Sequence, residues 1–207
     1  MAKPNLELPL GHSAVPRGCI ATVVTSLQMT TKQQPRSVAK FPPSYELAEF
    51  DRSDLSGYRA LFRKVGQDWL WHSRLTMSDN ELRRIVSDPL DEIYTLRHAG
   101  ADVGLLELDF RKPGECELAF FGLVSAEIGQ GLGRTLMTEA IQRAWAKPIR
   151  RFWVHTCTLD HPGALEFYVR SGFRPYAFQV EVQPDPRLTG LLPRHAAPHV
   201  PLIEPDR

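Results

Sequence analysis

Residues 129–134, Gly129-Gln130-Gly131-Leu132-Gly133-Arg134, constrain this chain more than any other stretch. They join a strand-like run, Cys116–Leu123, to a helical stripe of Leu136, Met137, Ala140, Ile141, Ala144 and Trp145. Glycine reaches positive φ without penalty and lets a backbone approach a ligand closely. A helix beginning there presents unpaired N–H groups and the positive end of its dipole. Strand, glycine turn and helix in this order suit an anion such as a pyrophosphate, although the same glycines also serve a plain tight turn. Rival phosphate loops fit less well. A dinucleotide fingerprint requires glycine where Arg134 stands, and the Gly-Lys-Ser/Thr of a Walker A loop is absent.

The spacing around this turn predicts alternating elements. Tyr45 to Phe50 reads as a short strand. Leu55, Tyr58, Phe62, Val65 and Trp69 follow at helical spacing, with Ser53 as N-cap. Ser78-Asp79-Asn80-Glu81 forms a capping box flanked by a Met77/Leu82 staple, and its helix ends before Pro89. Strands are expected over 92–97, 103–110, 116–123, 151–158 and 173–182, and helices up to Pro148 and over 162–171. The pattern is α/β, a mixed central sheet with flanking helices.

Prolines bracket this block, with six in residues 1–43 and six in 184–207. Because proline removes a backbone donor, both ends are expected to be irregular arms. Residues 20–29 are the exception, since Ile20, Thr22, Val23, Val24 and Thr25 favour an added edge strand. The expected division is an N-terminal arm over 1–44, a central α/β domain over 45–182 and a Pro-rich tail over 183–207. A net charge of +1 gives no basic footprint for nucleic acid. Cys19, Cys116 and Cys157 form no CxxC pair, so reduced thiols in a cytoplasm are expected, without a disulfide or metal site. Neither a signal peptide nor a membrane span is legible.

Two motifs make the reading specific. The segment from Leu123 through Gly133 resembles the pyrophosphate loop of the GCN5-related N-acetyltransferase (GNAT) superfamily, Arg/Gln-x-x-Gly-x-Gly/Ala after an apolar strand. His161-Pro162-Gly163-Ala164-Leu165-Glu166-Phe167-Tyr168-Val169-Arg170-Ser171-Gly172-Phe173 resembles the family's Asn-x-x-Ala-x-x-x-Tyr-x-x-x-Gly-Phe helix. The motifs occur in the family's order with a strand between them. Ile128 stands at the family's Arg/Gln position, so Gln130 or Arg134 is expected to supply the missing contact, and His161 stands where the family often has Asn.

The resemblance implies the GNAT fold and acetyl-CoA as cosubstrate. CoA contacts would come from Phe121, Leu123, Val124, Ile128, Gly129, Gln130, Gly131, Leu132, Gly133, Arg134 and Thr135, and from His161, Ala164, Phe167 and Tyr168. The strand ending at Leu123 would bulge toward the pantetheine arm, and the Leu123 N–H would polarise the thioester carbonyl. Tyr168 would protonate the departing thiolate, or else serve as a core aromatic. Glu117 is the candidate base. Strand alternation groups it with Ala119, Phe121 and Leu123, and a carboxylate on such a face is partly desolvated, which suits it to take up a proton. Glu107, Asp109 and His155 are alternatives. Trp69, Trp71, Arg74 and His155 are candidates for the acceptor wall, with Arg74 reading a carboxylate, or else they pack the first helix and its neighbouring strand. The expected reaction is acetyl transfer to a primary amine, on a small molecule or a peptide. A non-catalytic acyl-CoA-binding module is the alternative. A homodimer paired through the extra N-terminal strand is a further expectation.

Overall fold

In a computed structural model describing residues 7–32 and 40–205, seven strands form one sheet. They are β1 (Cys19–Met29), β2 (Tyr45–Glu49), β3 (Asp91–His98), β4 (Ala101–Asp109), β5 (Glu115–Leu123), β6 (Arg151–Cys157) and β7 (Arg174–Pro184). Their spatial order is β2-β3-β4-β5-β6-β1-β7. Every neighbouring pair is antiparallel except β5 and β6. Helices α1 (Leu55–Gly66), α2 (Ser73–Thr76) and α3 (Asp79–Val86) precede β3, α4 (Leu132–Ala144) joins β5 to β6, and α5 (Ala164–Arg170) joins β6 to β7. The expected mixed α/β sheet with flanking helices is present. The expected arms lie partly outside the described residues.

Local chemistry explains the helix starts. Ser78 and Glu81 make the reciprocal capping box of α3. At α1 the N-cap is Asp54, whose side chain accepts from Gly57 N–H, rather than Ser53. Ser53 is already committed, because its amide and hydroxyl both donate to Asp51. The apolar stripe of α1 packs Tyr58, Phe62 and Val65 against β4 and β5, covering one face of the sheet.

Residues 19–29 do form a strand, but not at an edge. β1 is hydrogen-bonded to β6 on one side and β7 on the other, so β7 becomes the edge. Its two faces are both used. Ile20, Thr22 and Val24 are buried on one, and Thr25, Leu27 and Met29 on the other. Composition announces such a strand, but its partners, Phe152–Cys157 and Arg174–Pro184, lie far away in sequence. The expected dimer contact through β1 has no free edge to use.

The tail after β7 has no helix or strand but is packed. Leu192, Ala196 and Ala197 join Ile20, Leu70 and Leu159 in a second small core. Arg187, 3% exposed, pairs with buried Asp185 and donates to the carbonyls of Ala196, Ala197, Val200 and Pro201. An irregular segment thus satisfies its buried carbonyls through one guanidinium.

Candidate active site

The sheet is split where the chemistry is expected. β5 and β6 pair only at Glu115–Glu117 with Arg151–Trp153, after which they separate into a wedge. Immediately beyond the last pair, a register shift against β4 puts a bulge at Ala119, between Leu118 and Phe120. A bulge inserts one residue and reverses the face of everything after it. Glu117 therefore shares a face with Phe120 and Gly122, not with Phe121 and Leu123 as simple alternation predicts. The strand ending at Leu123 does carry a bulge, and it lies at Ala119. At the Leu123 end Val124 N–H donates to Val103 at 2.9 Å. Successive N–H groups of a strand point to opposite sides, so the Leu123 N–H faces the wedge.

Past β5, Gly129 and Gly131 hold φ of +90° and +82°. A Cβ at either would meet nothing within 4 Å, so the demand is for left-handed backbone rather than for space. Gly131 is the N-cap of α4. The N–H groups of Arg134 and Thr135 turn back to its carbonyl, whereas among the described residues no protein acceptor meets those of Leu132 and Gly133. Arg134 is exposed on this first turn. Ile128 is also exposed, at 39%. The expectation for Gln130 needs correcting: its amide is engaged within the turn, donating to Ala126 O at 3.0 Å and Glu127 Oε2 at 3.2 Å. Arg134 is left as the exposed cation beside this turn.

On one side of the wedge, Phe121 stacks with Phe167 at 5.8 Å and meets Tyr168 at 6.4 Å. Tyr168 is 7% exposed, and burial, reinforced by the charge of Asp160, pushes its phenol well above the ordinary range. It therefore keeps its proton at neutral pH. On the other side, Glu117 lies 3.5 Å from His155 Nδ1. The bond to Glu117 raises the pKa of His155, outweighing the opposing effect of burial. Tyr168 and Glu117 thus flank the wedge from opposite faces of the sheet.

The two other carboxylates weighed as base are committed elsewhere. Glu107 is wholly buried and takes bonds from Tyr58 and from Arg74. Asp109 is held by Arg111 and lies below its usual range, against burial that would raise it. Arg74 is correspondingly not on an open wall: it is 7% exposed, beneath Phe120, with Glu107 and Tyr58 at its guanidinium.

Trp69 and Trp71 part company at Leu70, which adopts φ 57°. Left-handed backbone at a bulky residue costs roughly 1 kcal/mol or more, offset here by burial of Leu70 in the second core. Trp71 turns inward against Phe62 and Phe120, so close that a Cβ on Gly66 would fall 2.4 Å from it. Its indole N–H donates to Asp160 at 3.2 Å. Trp69 turns toward His161 and the tail residue His199, with ring centroids at 5.4 and 6.3 Å. His161 Nδ1 accepts from Gly163 N–H and so shapes the turn before α5.

Asp160 escaped the sequence reading. Besides Trp71 it accepts from Thr156 Oγ1 and Cys157 N–H, and its charge raises the pKa of both Tyr168 and His155. Nothing but its place just before the His161 motif could have flagged it. His199 was missed because Trp69 lies far away in sequence, and Glu127 because Tyr45 and His98 do. Among the described residues, no cluster of His, Cys, Asp or Glu could hold a metal ion, and no helix is long and apolar enough to cross a membrane.

The sequence pattern of the acetyltransferase (GNAT) family matches residues 58–173, more than half of the chain. No curated protein matches by sequence. Solved structures share the fold at low identity. A GCN5-related N-acetyltransferase from Sphaerobacter thermophilus superposes with a TM-score of 0.57 at 14% identity, over 79% of this chain and 51% of that one. One from Kribbella flavida gives 0.53 at 19%, over 84% and 63%. A GNAT family acetyltransferase from Elizabethkingia anophelis, solved with acetyl-CoA bound, gives 0.50 at 16%, over 66% and 80%. The match thus spans about half to two-thirds of the length of the first two proteins.

Proposed function

The chain belongs to the acetyltransferase (GNAT) family, and from that premise we propose that it moves an acetyl group from acetyl-CoA to a primary amine. The carrying observation is the wedge between β5 and β6, which opens beside a glycine turn at the start of α4. The free N–H groups of Leu132 and Gly133, the helix dipole and Arg134 suit the pyrophosphate. The Leu123 N–H, turned into the wedge, suits the thioester oxygen.

Glu117 takes a proton from the acceptor amine, directly or through one water, and His155 beside it steadies the carboxylate. The amine nitrogen bonds to the carbonyl carbon while Leu123 N–H stabilises the oxyanion. As the carbon–sulfur bond breaks, Tyr168 gives its proton to sulfur, and solvent exchange restores both groups. Trp71, Trp69 and Asp160 line the acceptor side, so the preferred acceptor combines an apolar or aromatic body with a cationic amine.

Thiol release from acetyl-CoA, screened over amines, tests this reading. Release with at least one amine, lost in Tyr168→Phe without loss of acetyl-CoA binding, supports it. Binding without turnover over a broad panel would favour a non-catalytic acyl-CoA sensor on this fold, a reading to which Ile128 at the family's Arg/Gln position lends weight.

A further inference from the structure

The glycine turn that faces the expected pyrophosphate has little of its own to hold it in place. A Cβ added at Gly129 or Gly131 would meet nothing within 4 Å, and Ile128 is exposed. A glycine-rich turn loses more conformational freedom on ordering than any other. Something else must fix the directions of its N–H groups.

Glu127 sits next to Ile128 and is 8% exposed. Three side chains converge on it. Tyr45 donates to Oε2 at 2.7 Å, His98 Nδ1 lies 3.0 Å from Oε1, and Gln130 donates to Oε2 at 3.2 Å. Tyr45 and His98 come from paired positions on β2 and β3, and their rings stack at 4.1 Å. The far edge of the sheet thus reaches the turn through one carboxylate. Gln130 closes the turn on itself through its second bond, to Ala126 O. A separate tie, Ser125 Oγ to Asp68 at 2.6 Å, holds the start of the segment.

We propose that Glu127 is a positioning residue for the acyl-CoA site: it braces residues 126–131 against Tyr45 and His98 and so sets the conformation that receives the pyrophosphate. This rests on the acyl-CoA reading above and adds how this chain makes up for a side-chain contact absent at Ile128. A carboxylate with several donors holds a loop more firmly than any one bond, because each bond is made without further ordering once the others are in place. Glu127 touches no reacting atom in this account, so its removal acts on binding and leaves the chemical step alone.

Calorimetry with acetyl-CoA on the full chain tests the brace. Wild type is measured beside Glu127→Ala, Glu127→Gln and Tyr45→Phe, with amide exchange of 125–131 followed in the ligand-free proteins. Glu127→Ala is expected to weaken binding by roughly 10- to 100-fold and to speed exchange in 125–131. Glu127→Gln, which keeps an acceptor for Tyr45, recovers much of the affinity. Tyr45→Phe keeps the ring stack and loses several-fold. With any active acceptor, KM for acetyl-CoA rises while saturated kcat and acceptor KM hold. Should Glu127→Ala misfold, Tyr45→Phe and Glu127→Gln carry the test. Wild-type affinity in Glu127→Ala or Tyr45→Phe, with unchanged exchange in 125–131, overturns the brace and leaves the acyl-CoA reading standing. Wild type that binds no acetyl-CoA overturns that reading and the inference with it.

Discussion

Tyr168 and the Glu117–His155 pair flank the wedge from opposite faces, and each carries a separate prediction. Tyr168→Phe keeps the ring contacts with Phe121 and Phe173. Acetyl-CoA affinity is therefore expected to hold while kcat falls by roughly 10²- to 10⁴-fold; unchanged kcat under conditions where chemistry limits the rate would remove Tyr168 as the acid. His155 titrates above its ordinary value chiefly because of Glu117. In Glu117→Gln its titration, followed by NMR, moves down, and an unmoved titration would mean that the two side chains do not meet in solution. Asp91 tests the interior instead. It is fully buried, among the described residues neither carboxyl oxygen has a hydrogen-bond partner, and burial, with the charge of Glu107, pushes it up to about 8. A raised acid is neutral in both folded and unfolded chains at low pH. As pH rises above the ordinary carboxylate range only the unfolded chain ionises, so stability falls with pH until the folded chain ionises too. Asp91→Asn removes this part of the slope. Denaturant melts between those two ionisations that keep the wild-type slope would contradict it.

At the level of elements, the glycine turn and the wedge decide what the sheet can hold. Gly131→Val forces a β-branched residue into left-handed backbone, while Gly131→Asn is far better tolerated there. Acetyl-CoA affinity should drop by roughly 10-fold or more in the first and much less in the second; equal affinities would separate the turn from the ligand. The elements themselves were legible because their signals are local. Ser78 and Glu81 lie three residues apart, and the apolar stripe of α4 repeats within two turns. What depends on pairing was not legible. The bulge at Ala119 adds a residue without altering composition, so the face of Glu117 relative to Phe121 came out reversed. The β1 residues announce a strand, but nothing in them names β6 and β7 as neighbours. Trp69 and Trp71 were legible as a pair, whereas the left-handed turn at Leu70 that sends them apart was not. Arg74 reads as an acceptor-wall residue facing a carboxylate because Glu107, its buried partner, lies 33 residues away.

Across the whole molecule, β1 and the tail are tied into the body that carries the wedge. β1 continues the sheet beside β6, and the tail closes over Leu70 and Leu159, next to Trp69. We propose that 45–182 carries the reaction while these flanking segments stabilise it and shape its acceptor side. Arg187→Ala strands a buried Asp185 carboxylate and frees several carbonyls, at a cost of roughly 3–5 kcal/mol. Thermal melts should show a clear fall in Tm, and an unchanged Tm would mean that the tail is not docked. The central claim, that this sheet receives acetyl-CoA in the β5–β6 wedge with the pyrophosphate at the start of α4, is tested most directly by amide hydrogen exchange with and without acetyl-CoA. The account predicts slowed exchange over 123–134 and over the turn and helix at 161–168, with little change in α3 or at β2. Identical exchange in those two segments at saturating acetyl-CoA, or protection confined to other parts of the chain, would contradict it.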